Sequence, residues 1–352
     1  MKRVLLILLT LLVIGAGAAQ WYFHAWTAMG PAAEEKVVMI APGSGLSRIA
    51  QQLEDAGAIS WKRLFEIELR LRDQAGQLKA GEYAIPAHAS MADIAAILIE
   101  GKSIQHRLTV AEGLTSDMIW KLVRDNKVLT GDAGAVPAEG TLLPETYLFT
   151  RGKTRQALLK EMVAAQRAFI DEHWPNRSQN LPYGTPEQAV ILASIIEKET
   201  GHADERRRVA AVFVNRLRQG MRLQSDPTII YGLTKGYPLG RGIRLSELEG
   251  ATPYNTYVIA GLPPGPIANP GKDALAAVMN PPDTKDLYFV ADGSGRSLFA
   301  PTLDEHNRNV LAFRAWERRQ ALTKGDLRID TDSIAKTIPS LPGQRPKLGG
   351  SK

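Results

Sequence analysis

Two carboxylates, Glu197 and Glu199, stand at the end of a segment that can deliver them from a protein interior. Thr185, Pro186 and Gln188 form a strong helix start, with a capping hydroxyl, a proline at the first helical position and a reciprocal glutamine. From Ala189 to Ile196 every residue except Ser194 is apolar, and the run points around all sides of a helix. A helix apolar all round is a buried one. Glu197 is the first charge after that run and sits one turn before Gly201, near the negative end of the helix dipole. Dipole and burial both favour the protonated form there. A carboxyl held protonated near neutral pH is the general acid that cleavage of a glycosidic bond requires. The helical wheel does not separate the two glutamates, so Glu199 could serve as well.

Further polar residues follow in Gly- and Pro-rich surroundings, the usual setting of a loop-built site. Gln224, Ser225, Asp226 and Thr228 come first, with Asp226-Pro227 also readable as a helix cap followed by a first-turn proline. Tyr254, Asn255 and Tyr257 could stack on sugar faces and bind hydroxyl and acetamido groups. Other chemistries find no support. The six histidines are scattered without a metal-ligand spacing, and His306 reads as structural. There is no Gly-rich phosphate loop, no Gly-x-Ser-x-Gly and no cysteine, so neither metal nor cofactor is expected.

The elements that must position these groups belong to a chain of 352 residues, 44% hydrophobic and 23% charged, with net charge +6. That composition is globular and long enough for two domains. Lys2 and Arg3 precede an apolar run, and Trp21, Tyr22, Phe23 and Trp26 follow it as an aromatic collar. The pattern favours a retained membrane anchor through residues 4–23 over a removed signal peptide, for which Ala16-Gly17-Ala18 would be the cleavage site. The leading positive pair puts the N-terminus inside and the body outside the cytoplasm, which argues against nucleic acid as a partner.

The expected fold is α+β. Residues 1–29 form the cytoplasmic tip and anchor. In 30–103, a strand at Val37–Ile40, two amphipathic helices and a strand at Gly81–Ile85 resemble a small LysM carbohydrate-binding unit of βααβ order. Residues 104–325 form a larger α+β catalytic domain. It has helices from Thr115, from Thr154 to Trp174, and from Asp204 to Gly220, and a buried strand at Leu287–Val290. A tail over 326–352, rich in Pro, Gly, Ser and Lys, reads as flexible.

Several motifs arrive together over roughly residues 36 to 320. They are Leu192-Ala193-Ser194-Ile195-Ile196-Glu197-Lys198-Glu199-Thr200, Asn215-Arg216-Leu217, Met221 to Thr228, Tyr254-Asn255-Thr256-Tyr257, Gly261 to Ile267 and Tyr288-Phe289-Val290. In this order they resemble the YceG-like family. Glu139 to Tyr147 resembles a further family motif, with Thr141 and Leu142 where the family usually carries bulky aromatics. The resemblance implies endolytic cleavage of the MurNAc–GlcNAc β-1,4 bond of peptidoglycan, leaving 1,6-anhydro-MurNAc ends and consuming no water. It implies Glu197 as the single acid/base, and Gln224, Ser225, Asp226, Thr228, Tyr254, Asn255, Tyr257 and Glu199 as residues of the glycan cleft. It also implies an inner-membrane protein that works with peptidoglycan synthases and ends strand growth. The rival readings are a water-using muramidase, which needs a second carboxylate, and a non-catalytic peptidoglycan-binding anchor.

Overall fold

The structure, a computed structural model, describes residues 2–323. The tail expected over 326–352 lies outside the described residues. Helix α1 (Lys2–Thr27) contains an apolar stretch, Val4–Thr27, whose most apolar 18 residues have mean hydropathy 2.2 and are left unburied by the rest of the chain. By length and composition it is able to cross a membrane.

A first unit follows, in the order β1 (Lys36–Ile40), α2 (Leu46–Asp55), α3 (Lys62–Leu71), β2 (Gly81–Ile85) and α4 (Met91–Glu100). The two strands pair antiparallel, with Val38 opposite Tyr83. Their inner faces meet Ile49, Leu53, Phe65, Ile94 and Leu98 in a core of their own. Ser90 and Asp93 cap α4 reciprocally, and Gly101 ends it in the left-handed conformation that glycine adopts without strain. The core also takes in Trp26 from α1, so the apolar helix is docked on this unit rather than loosely tethered to it.

The remainder begins with β3 (His106–Thr109), α5 (Ser116–Asp125), β4 (Thr146–Phe149) and α6 (Arg155–His173). β3 and β4 pair antiparallel above α5 and α6. Then come α7 (Pro186–Glu199), α8 (Ala203–Arg218), α9 (Asp226–Thr234), the single turn α10 (Leu245–Leu248) and α11 (Lys272–Met279). The hairpin of β5 (Tyr288–Ala291) and β6 (Ser297–Ala300) and the long α12 (Leu303–Thr323) complete the described chain. Leu142 packs into the β3–β4 core and Leu143 into that of α7. Adjacent residues thus tie the two cores into one body. The strand at Tyr288 is half-buried rather than buried, because one side of its hairpin is covered only by α12.

Helix α7 is the axle of this body. Its capping box forms as the sequence predicts: Thr185 Oγ1 accepts from Gln188 N, and Gln188 Oε1 accepts from Thr185 N, each at 3.3 Å. Ala189, Val190 and Leu192 to Ile196 are all buried, with α8 and α11 packed against them. Ser194, the one polar residue of the run, is satisfied twice. Its hydroxyl donates to Ile191 O at 2.7 Å and accepts from Ile267 N at 3.0 Å.

Candidate active site

The last turn of α7 carries its two glutamates into different surroundings. Two residues along a helix are about 200° apart, so Glu197 and Glu199 leave opposite sides. The Glu197 side chain is 4% exposed. Its Oε2 accepts the backbone N–H of Gly271 at 2.8 Å, at the cap position of α11, and its Oε1 lies 3.3 Å from the Arg206 guanidinium. Arg206 also reaches Asp273 at 3.2 Å and Glu112 at 3.4 Å. Burial raises the Glu197 pKa, the Gly271 N–H and Arg206 oppose that rise, and the nearby charges of Glu112 and Asp273 add to it. The carboxylate is thus held by one ion-pair partner and one helix end.

Glu199 faces the loop before α9. It accepts the hydroxyl hydrogen of Ser225, and among the described residues its carboxyl has no other hydrogen-bond donor. Burial pushes its pKa up to about 7, with Asp226 adding repulsion; the Ser225 hydrogen bond and the Arg216 charge oppose the rise. Arg216 is itself buried. It donates to Leu287 O at 2.7 Å and to Leu223 O at 2.6 Å, and its guanidinium lies 5.4 Å from the centre of the Tyr288 ring. His306 stacks on the same Tyr288 ring, 5.1 Å centre to centre. Arg216 and Tyr288 lie inside motifs already noted, but no role for either follows from the sequence.

The loop itself is held in a costly shape. Gln224 is exposed and has φ +53, a left-handed conformation unusual for a residue with a side chain. Its N–H donates to Thr256 O at 3.1 Å. Ser225, not Asp226, is the cap residue of α9, and Asp226 is its first helical residue. That frees the Asp226 carboxylate from capping. It accepts instead from the Tyr257 hydroxyl at 2.6 Å. Gln224, Ser225, Asp226, Tyr257 and Glu199 are therefore gathered in one place.

The other expected cleft residues are not exposed there. Thr228 is fully buried, and its hydroxyl bonds Ser225 O at 2.6 Å and Thr256 Oγ1 at 2.9 Å. Asn255 is also fully buried. Its amide donates to the carbonyls of Glu247, Leu248 and Gly250 at 3.1, 2.9 and 2.7 Å. Both residues pin the loops that carry their neighbours. Tyr254 sits apart, against Tyr231 at 4.8 Å between ring centres.

Another half-buried carboxyl, Glu139, accepts Ser116 N at 2.8 Å, Asn269 Nδ2 at 3.2 Å and the Tyr231 hydroxyl at 3.2 Å. Burial raises its pKa against those bonds. It borders a groove of about 620 Å³ along the N-terminal half of α7, with Thr141, Arg167, Pro264 and Pro266. Leu142 turns into the core, so of the two residues replacing the family's aromatics only Thr141 reaches the groove. Among the described residues no cluster of His, Asp and Glu could hold a metal ion.

The YceG-like family profile matches residues 38–312. The chain belongs to the YceG-like family. It is 29% identical over 322 residues to the endolytic murein transglycosylase of Streptococcus pneumoniae strain D39, a match that covers 78% of this chain and 57% of that one. It is 28% identical to the protein of the same name from Bacillus subtilis strain 168, covering 77% of this chain and 82% of that one. This YceG-like chain thus spans little more than half the length of the pneumococcal relative. A crystal structure of a YceG-like protein from Listeria monocytogenes is 31% identical, covering 78% of this chain and 99% of that one, with a TM-score of 0.46.

Proposed function

We propose that the protein is an endolytic peptidoglycan lytic transglycosylase whose acid/base is Glu199. The observation that carries the assignment is the Glu199 carboxyl held by a single serine hydroxyl beside the exposed Gln224 and Asp226, with burial pushing its pKa up to about 7. Glu197, the residue the family resemblance implied, is saturated by Arg206 and the start of α11. Its surroundings suit a structural anchor for the last turn of α7.

In this reading protonated Glu199 gives its proton to the oxygen that links MurNAc C1 to GlcNAc. The C1–O bond breaks, and positive charge develops at C1. The resulting Glu199 carboxylate is balanced by the buried Arg216 and by the Ser225 hydroxyl. It then takes the proton from the MurNAc C6 hydroxyl as that oxygen attacks C1. The 1,6-anhydro ring closes, Glu199 ends protonated, and no water is consumed. Gln224, Asp226 and Tyr257 surround the reacting sugars on this account, and one carboxyl serves as both acid and base.

The membrane reading belongs to the same proposal. α1 crosses the inner membrane with its N-terminus in the cytoplasm, and the body works in the periplasm on strands made by peptidoglycan synthases. Cleavage there ends strand growth. The βααβ order of the first unit supports a LysM-like glycan contact.

Mass spectrometry of peptidoglycan digests tests the reading with wild type, Glu199→Gln and Glu197→Gln. Anhydro ends from wild type, lost in Glu199→Gln and retained in Glu197→Gln, are expected. Reducing ends would make the protein a hydrolase with Asp226 as second carboxylate. Loss in Glu197→Gln alone would return the role to that residue. Glycan binding without cleavage would leave a binding anchor.

A further inference from the structure

We propose that the N-terminal end of α3 and the pocket beside it rest in the anionic headgroup layer of the membrane that α1 crosses. The inference rests on the reading of α1 as a span. Its evidence begins with the way α3 is clamped to the end of α1. Trp26 is 4% exposed, with its ring 5.9 Å from that of Phe65. The Tyr22 hydroxyl donates to Glu68, and Trp21 meets Trp61 edge-to-face at 5.9 Å. α3 therefore has a fixed height relative to the apolar helix.

That height is set by the helix rise. A hydrocarbon core of about 30 Å takes roughly 20 helical residues. Counted from Val4, the span runs out close to Trp21 and Tyr22, the level at which interfacial aromatics sit. Trp61, packed on Trp21, lies at the same level and is 54% exposed. Arg63, Ile67, Arg70 and Leu71 then follow at spacings of four, seven and eight residues, which place them on one face of α3. Ile67 is 48% exposed.

The charges on this end of α3 complete the argument. Arg70 is paired with Glu66 at 3.1 Å, and Arg72 with Glu68. Lys62 and Arg63 have no acidic ion-pair partner among the described residues; the Lys62 ammonium bonds only the Gln51 side chain. Both line a shallow pocket of about 420 Å³ with Trp21, Tyr22, Trp61 and Ile67. Glu54 also borders that pocket, where it accepts the Lys62 backbone N–H at 3.2 Å. Two unpaired cations over an apolar floor, beside an aromatic belt, match the chemistry of an anionic phospholipid: acyl chain against Ile67 and the rings, phosphate at Lys62 and Arg63. Such a contact would hold the first unit against the bilayer.

The sequence has no cysteine, so single substitutions to cysteine take a nitroxide label without background. The full chain is reconstituted in vesicles of phosphatidylethanolamine and phosphatidylglycerol, labelled in turn at Leu8→Cys, Ile67→Cys and Leu245→Cys. Spin-label accessibility to oxygen and to a nickel chelate gives the depth. The expected order is hydrocarbon for position 8, headgroup layer for 67 and water for 245. An aqueous reading at 67 with hydrocarbon at 8 overturns the docking and leaves the span intact. An aqueous reading at 8 removes the span, and the docking with it. Shielding of 67 from both reagents would mean a protein, a second copy included, covers the face, and also overturns the proposal. With Lys62→Glu and Arg63→Glu added, the label at 67 should move toward water and lose its dependence on phosphatidylglycerol. Unchanged depth would overturn the anionic headgroup as occupant.

Discussion

The hydroxyl of Ser225 donates to the carboxyl of Glu199, joining the end of α7 to the start of α9 across the candidate cleft. A hydroxyl donated to a carboxylate favours its charged form. Ser225→Ala should therefore raise the Glu199 pKa further, and the alkaline limb of the cleavage rate should move to higher pH. A fall in kcat of about tenfold or more accompanies it, within the range for a misplaced acid/base. The readout is the pH profile of anhydro-end formation. An unmoved limb would mean that Glu199 does not titrate in the rate, since Ser225 makes no bond to Glu197.

Stability should carry the same signature with a definite sign. The Glu199 pKa is raised from 4.5 to about 7, so between those values the folded protein binds more protons than the unfolded chain. Its stabilising contribution is complete below about pH 4.5 and is lost as pH rises through about 7. Glu199→Gln mimics the protonated form. It should match wild type at pH 4 and exceed it at pH 8 by up to about 3 kcal/mol, read as a gain of several degrees in Tm. Equal Tm differences at both pH values would show that Glu199 titrates normally.

How much of this was legible in the sequence depends on distance along the chain. α7 was readable because its signals are local: Thr185 and Gln188 lie three residues apart, and the apolar run is continuous. The choice between Glu197 and Glu199 was not. It depends on what packs on each side of the last turn, and Gly271, Arg206 and Ser225 arrive from separate elements. The same holds for Asn255, whose polarity suggested a ligand but whose amide is spent on three loop carbonyls. β4 and β6 leave no signal in the sequence because each is four residues long and is defined by a partner strand rather than by a pattern of its own.

Asn255 offers a separate test of structural against substrate-binding roles. Asn255→Ala leaves three carbonyls without a donor and removes the Oδ1 that accepts Tyr257 N at 3.0 Å. The expected cost is about 2–4 kcal/mol of stability. Well below the lowered Tm, kcat/KM should fall by less than about tenfold, because the residue does not face the cleft. A native Tm with kcat/KM abolished would restore Asn255 to the substrate.

Arg206 should be worth more to the fold than to the chemistry. Its guanidinium is buried among Glu197, Glu112 and Asp273, at 3.3, 3.4 and 3.2 Å. Arg206→Gln strands Glu197 with only the Gly271 N–H, and breaking one side of a buried pair costs about 3–5 kcal/mol. The loss should be largest at pH 8 and shrink toward pH 4, because protonating Glu197 removes the charge that lacks a partner. Adding Glu197→Gln to Arg206→Gln should recover much of the stability at pH 8. Chemical denaturation of the two single variants and the double variant measures that coupling. If Glu197 were the acid, the double variant would be stable yet inactive. With Glu199 as the acid, it should regain cleavage along with its fold.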